Sequence, residues 1–217
     1  MTYIYFALLV FIWSYSWVVA KVALEFTNPI AFSLLRTIIG TLAIFLFIVL
    51  VKKIHKPKEP FLVALLGLTQ TTLFFIFANL SLVSGGAGKV SLLIYTMPFW
   101  SIIFANIILK ETVSRAQKFA IIGSFLGLVF IIEPWRLYSN FLSDFFALLS
   151  AISWAISITI AKIILNKQKM SILSLNFYQM LFGLIGILIC YLFIPQQKET
   201  IFSPYLIFAV CLLYTSD

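Results

Sequence analysis

Arg36 is the one charge in an otherwise apolar run, FSLLRTIIGTLAIFLFIVL, at residues 32–50. An ionised guanidinium in a lipid-spanning helix costs about 2.5–3.5 kcal/mol on insertion scales, so such a residue has to be compensated. With a helix start near Pro29, it lies about 10 Å along the axis at ~1.5 Å per residue, in the outer third of a bilayer. Two roles suit that depth. The long side chain can reach the outer headgroups, or it can face the bundle interior and meet a polar group or an anionic ligand. Ser33, Thr37 and Gly40 are small or polar at helical spacing beside it, which fits close approach of another helix.

Four further positions could face a ligand. Gln70 lies in the polar cluster Thr69–Thr72, and its amide needs partners in hydrocarbon, either across a helix interface or in a cavity. LLIYTMPFW (residues 92–100) carries Pro98 within a span. A proline there removes an N–H and marks a helix break, which is tolerated where it is buried in protein or lines a cavity. Tyr95 lies on nearly the same face as Ser91 and Pro98 and becomes a cavity candidate. Trp13 and Trp154 lie within helices rather than at the interfaces where belt tryptophans sit, either as packing aromatics or as the wall of a cavity for apolar solutes.

Catalytic chemistry has little to stand on. The single histidine, His55, sits in a lysine-rich loop, and no HExxH, GxSxG or carboxylate cluster occurs within an apolar run. SGGAGK lacks phosphate-loop spacing, and Cys190 and Cys211 stand alone in apolar runs with no metal spacing. No cofactor, metal or nucleic acid is expected. Glu111 is expected to pair locally with Arg115, Glu133 with Arg136, and the Gly123/Gly127 GxxxG to mark a close helix contact.

The elements that must hold these residues are read from composition. The chain is 63% hydrophobic, 17% aromatic and only 10% charged, where a soluble domain has about 25% charged residues. Its mean hydropathy is +1.11. Its solvent is therefore lipid. Spans of about 20 apolar residues are predicted at roughly 3–20, 30–51, 61–82, 90–109, 118–135, 143–165 and 172–194, with an eighth starting near 202. The first lacks a basic n-region and a small-residue cleavage site, so it reads as a retained helix. Loops after the second, fourth and sixth spans hold ten basic residues, against four in the alternate loops. The positive-inside rule then puts the N-terminus in the cytoplasm.

WSYSWVVAK (13–21) is echoed by WAISITIAK (154–162), matching Trp13 with Trp154 and Lys21 with Lys162. With two residues inserted, Arg36 falls opposite Gln179 and Gly40 opposite Gly183. Five spans separate the copies, so the second enters the membrane from the other side. That is the pattern of an inverted repeat, whose substrate site lies near the midplane between the copies.

FIWSYSWVVAKVAL (11–24), NPIAFSLLRTIIG (28–40), the run at 78–132 around LLIYTMPFW, and SAISWAISITIAK (150–162) resemble the EamA-type members of the drug/metabolite transporter superfamily. The resemblance implies ten helices in two inverted five-helix repeats, with both termini cytoplasmic. It implies export of amino acids, related metabolites or drugs by alternating access. The expected protein is an all-α, multi-pass inner-membrane transporter, with a first repeat at 1–137 and a second at 138–217. About eight of ten helices are present, and the substrate cavity is built from Trp13, Arg36, Gln70, Tyr95 and Trp154. Its partners are the bilayer and a small-molecule substrate. Because CLLYTSD (211–217) lacks a family ending, the chain is expected to be a fragment, or else to complete its cavity as a homodimer. The rival classes are a membrane-embedded enzyme, which would need clustered acids or histidines, and a non-transporting scaffold.

Overall fold

The computed structural model describes residues 2–51, 56–132, 140–167, 170–195 and 198–216. Among them are eight helices and no strand: α1 (Thr2–Ala23), α2 (Pro29–Val51), α3 (Pro60–Ser84), α4 (Ala87–Leu109), α5 (Arg115–Ile132), α6 (Phe141–Lys167), α7 (Ile172–Phe193) and α8 (Pro204–Ser216). The protein is an all-α, multi-pass membrane protein. Six helices, α1 to α4 with α6 and α7, are long and apolar enough to cross a membrane. In α5 the basic residues Arg115 and Lys118 occupy the first turn and shorten the apolar part. The apolar stretch of α8 runs only from Pro204 to Leu213. Large apolar side chains such as Phe6, Phe11, Leu50 and Phe193 stand exposed on the outside of the bundle, as lipid requires.

Local signals place the helix starts. Asn28 accepts the Ala31 N–H at 2.7 Å through Oδ1, capping α2 just before Pro29. Ser114 and Gln117 cap α5 reciprocally, each side chain accepting the other's backbone N–H. Ser171 caps α7, and Ser203, followed by Pro204, caps α8. Two helices depart from regularity. A π-helical turn, Leu68–Leu73, interrupts α3 and carries Gln70 at its centre. α4 breaks at Tyr95–Thr96, and Pro98 sits in the first turn of the half that follows. Pro98 has no N–H to offer the Ile94 carbonyl, and Phe99 bonds back to Thr96 instead.

The packing is reciprocal. α2 lies along α7. α3 packs on α6 and α7, while α8 packs on α1 and α2. The third helix of each half therefore rests on the first two of the other. The tightest crossing is α3 on α7. A Cβ at Gly67 would stand 2.5 Å from the Gln179 carbonyl and 2.8 Å from the Gly183 nitrogen. A Cβ at Gly183 would run into the Thr71 side chain and lie 2.9 Å from the Gly67 carbonyl. Only glycine allows the backbones this close, and Thr72 Oγ1 fixes the crossing by donating to the Gly183 carbonyl at 2.9 Å.

Two local expectations are corrected. Gly123 and Gly127 make no close helix contact: a Cβ at either would meet nothing within 4 Å. Glu111 pairs with Lys162 of α6 rather than with its neighbour Arg115, because the bundle brings the end of α4 against α6. The expected Glu133–Arg136 pair and His55 lie outside the described residues. At the other end of α4, Lys21 donates to the Leu82 and Val83 carbonyls at the end of α3, and Lys89 pairs with the buried Asp144 at 2.7 Å. Lys21 and Lys162 thus sit toward opposite ends of the bundle. On the Lys21 side the loops clasp each other: Thr27 meets Thr200, and the Ile201 N–H donates to the Phe26 carbonyl at 2.8 Å.

Candidate functional site

A cavity of about 310 Å³ opens between α1, α2, α3 and α7, with single residues from α4, α6 and α8 completing its wall. The volume is at the small end of the ~300–1,000 Å³ typical of small-molecule sites. Trp13, Arg36, Gln70, Tyr95 and Trp154 all line it. Pro98 does not. It acts on the site indirectly, since the break it enforces leaves Tyr95 at the end of the first half-helix, turned into the bundle.

One wall is aromatic. The Trp17 indole donates to the Tyr95 hydroxyl at 2.9 Å, with the rings edge to face at 6.2 Å. The indole N–H is thereby satisfied, and apolar ring surface is left toward the cavity. Across from this pair, Trp154 packs on Phe74 at 4.9 Å. Below the break, Thr96 accepts the Trp100 N–H at 3.2 Å, and Trp100 is not part of the cavity wall.

The opposite wall is polar. Arg36 is half-buried and turned inward, its Cζ 4.2 Å above the Phe75 ring. A guanidinium stacked on an aromatic face is attracted by the ring quadrupole. Phe75 in turn touches Phe74 at 5.3 Å, so a line of rings runs from Arg36 across α3 to Trp154. Ser33, one turn before Arg36, accepts from Asn79 at 2.8 Å, which ties α2 to α3 beside the site. Gln70 is presented by the π-helical turn, where the ladder is widened by one residue.

Two lining amides on α7, Asn176 and Gln179, were not singled out as site residues from the sequence. The signal for Gln179 was nonetheless present, because the internal echo sets it opposite Arg36. Asn176 had none beyond its type. Phe75, which supports the arginine, is one of 23 phenylalanines and could not have been picked out.

A bundle of apolar helices around a small mixed aromatic and polar cavity defines a multi-pass membrane protein. Residues 1–133 and 141–216 match the EamA-like transporter family, and the chain belongs to that family. An uncharacterized transporter of Archaeoglobus fulgidus is 31% identical over 199 residues, covering 92% of this chain and 69% of its own length. The uncharacterized transporter YoaV of Bacillus subtilis is 26% identical over 187 residues, covering 82% of this chain and 62% of its own. YvbV, another uncharacterized transporter of that organism, is 30% identical over 154 residues, covering 69% and 50%. The chain spans from half to just over two thirds of the length of these relatives.

Proposed function

We propose that the protein is a secondary transporter that exports small organic metabolites, amino acids or drugs among them, by alternating access to the central cavity. One observation carries this reading. Two of the pairs that the internal echo matches, Trp13 with Trp154 and Arg36 with Gln179, come from separate halves of the chain and line the same cavity. A local two-fold axis relating inverted halves would pass through such a site, and rocking one half against the other would expose it to each side in turn. The reciprocal packing of α3 and α8 supports the same division, with the first repeat at 1–137 and the second at 138–217. The two separate stretches of family match agree with it. The basic loops support a cytoplasmic N-terminus, and the family suits an inner-membrane location.

The test uses single cysteines at Ser16 and Gln179, in a background with Cys190 and Cys211 replaced by alanine. In sealed vesicles of either orientation, a membrane-impermeant maleimide is expected to label both positions from both faces. Labelling from one face only would overturn alternating access.

A further inference from the structure

We propose that the cavity takes an uncharged, planar nitrogen heteroaromatic that carries a hydrogen-bond donor and an acceptor on its edge, as a pyridine carboxamide or a nucleobase does. This narrows the transporter reading and rests on it for the site's role in transport. The chemistry of the cavity wall carries the substrate class.

The wall holds buried polar groups with unmet bonding capacity. Thr71, Asn79 and Gln179 line the cavity and are only 2%, 2% and 8% exposed. On the π-helical turn, Thr69 returns its hydroxyl to the Leu65 carbonyl, and Thr72 donates to the Gly183 carbonyl. Thr71 turns its methyl group to Gly183, and its hydroxyl bonds to no described residue. Asn79 is oriented by its neighbour. Ser33 gives its proton to the Pro29 carbonyl and so accepts from Asn79 Nδ2. That leaves Asn79 Oδ1 as an acceptor with no donor among the described residues. Gln179 brings a whole amide with no hydrogen bond to a described residue. The Tyr95 hydroxyl accepts from Trp17 and keeps its own proton to donate. Such groups are costly to leave unmet, and native structures rarely do so without a reason. Water can serve them in an empty cavity, but a ligand that displaces it has to return those bonds.

These groups are all neutral, and they offer donors and acceptors together. Among the described residues, no aspartate, glutamate, lysine or histidine lines the cavity. Arg36 is stacked on Phe75 and has further interactions of its own, so the ligand's edge is assigned to the neutral groups. A charged ligand would leave water with no free counter-charge to receive it. That costs far more than burying a neutral edge that finds its bonds. The walls fix the rest of the shape. Trp13, Trp154 and the edge-to-face Trp17–Tyr95 pair present ring surface against which a flat aromatic body packs. An apolar cavity of about 150 Å³ accepts a benzene ring, so about 310 Å³ leaves room for a ring with its polar substituent.

The experiment uses three pyridines of like size: nicotinamide, nicotinate and 1-methylnicotinamide, which are neutral, anionic and cationic in turn at neutral pH. Each radiolabelled compound is dialysed to equilibrium against the purified chain in lipid nanodiscs, with empty nanodiscs as the blank. Nicotinamide is expected to bind at least ~10-fold more tightly than either ion. Gln179→Met and Thr71→Val keep the size of the side chain and remove its polar group, and each should weaken nicotinamide by roughly 3–10-fold. Size-exclusion profiles identify any variant that fails to fold, in which case the charge series on the parent protein decides. Equal or tighter binding of either ion overturns the proposal. So does failure of nicotinamide to bind at millimolar concentration, or unchanged affinity in both folded variants. Counterflow in proteoliposomes separates the two readings. Nicotinamide binding without flux would sink the transporter reading and leave the site standing. Flux that favours either ion would do the reverse.

Discussion

Two glycine pairs in this molecule look alike in sequence type and behave in opposite ways. Gly67 and Gly183 sit where α3 crosses α7 with backbone against backbone, locked by the Thr72 hydroxyl. Gly123 and Gly127, spaced four apart on α5, face open space. The difference lies in the partner. A small-residue stripe permits close approach but supplies no attraction of its own, and in lipid the attraction must come from packing and interhelical hydrogen bonds. Around Gly183 the threonines of the π-helical turn supply both. α5 packs mainly against the first half of α4 and turns its glycines elsewhere.

The contrast can be broken by placing bulk at each pair. The largest effect is expected from Gly183→Val, which drives a branched side chain into Thr71 and toward the Gly67 carbonyl. A loss of about 3 kcal/mol or more, read as collapse of the monodisperse size-exclusion peak, is the expected outcome. Gly67→Ala meets backbone atoms at 2.5 and 2.8 Å and should cost about 1–3 kcal/mol in thermal unfolding. Thr72→Val keeps the shape and removes the donor to the Gly183 carbonyl, so roughly 0.6–1.7 kcal/mol is expected. At the other pair, Gly123→Ala and Gly127→Ala should leave stability unchanged or raise it by up to ~1 kcal/mol each through helix propensity. A destabilised Gly123→Ala protein would mean that the α5 face is not open in the folded protein, and the comparison would fail.

What could be read in advance follows from the range of each interaction. Helix existence was legible because lipid demands long apolar runs, and the helix starts sit at Asn28-Pro29, Ser171 and Ser203-Pro204, where capping chemistry is local. The break in α4 was legible from Pro98, although it falls two residues earlier, where Tyr95 and Thr96 absorb the missing bond. The gathering around one cavity had separate signals: Arg36 and Gln70 are costly to leave in lipid, Tyr95 stands beside the Pro98 break, and Trp13 and Trp154 are matched by the internal echo. The Glu111–Lys162 pair could not, since a spacing rule sees only neighbours on one helix. The GxxxG of α5 misled for the same reason. The π-helical turn was equally hidden: Leu68–Leu73 has ordinary helical spacing, and the extra residue is stabilised by contacts with α7 that lie more than a hundred positions away.

The crossing of α3 on α7 has a consequence for the order of assembly. Thr72 and Gly183, which lock it, are 111 positions apart in the chain. During synthesis the polar π-helical turn of α3 is therefore made well before the helix that receives it. Contacts between such distant residues form late in folding, because the intervening chain must first be ordered. The close seating of α3 is thus a property of the finished bundle and waits on α7.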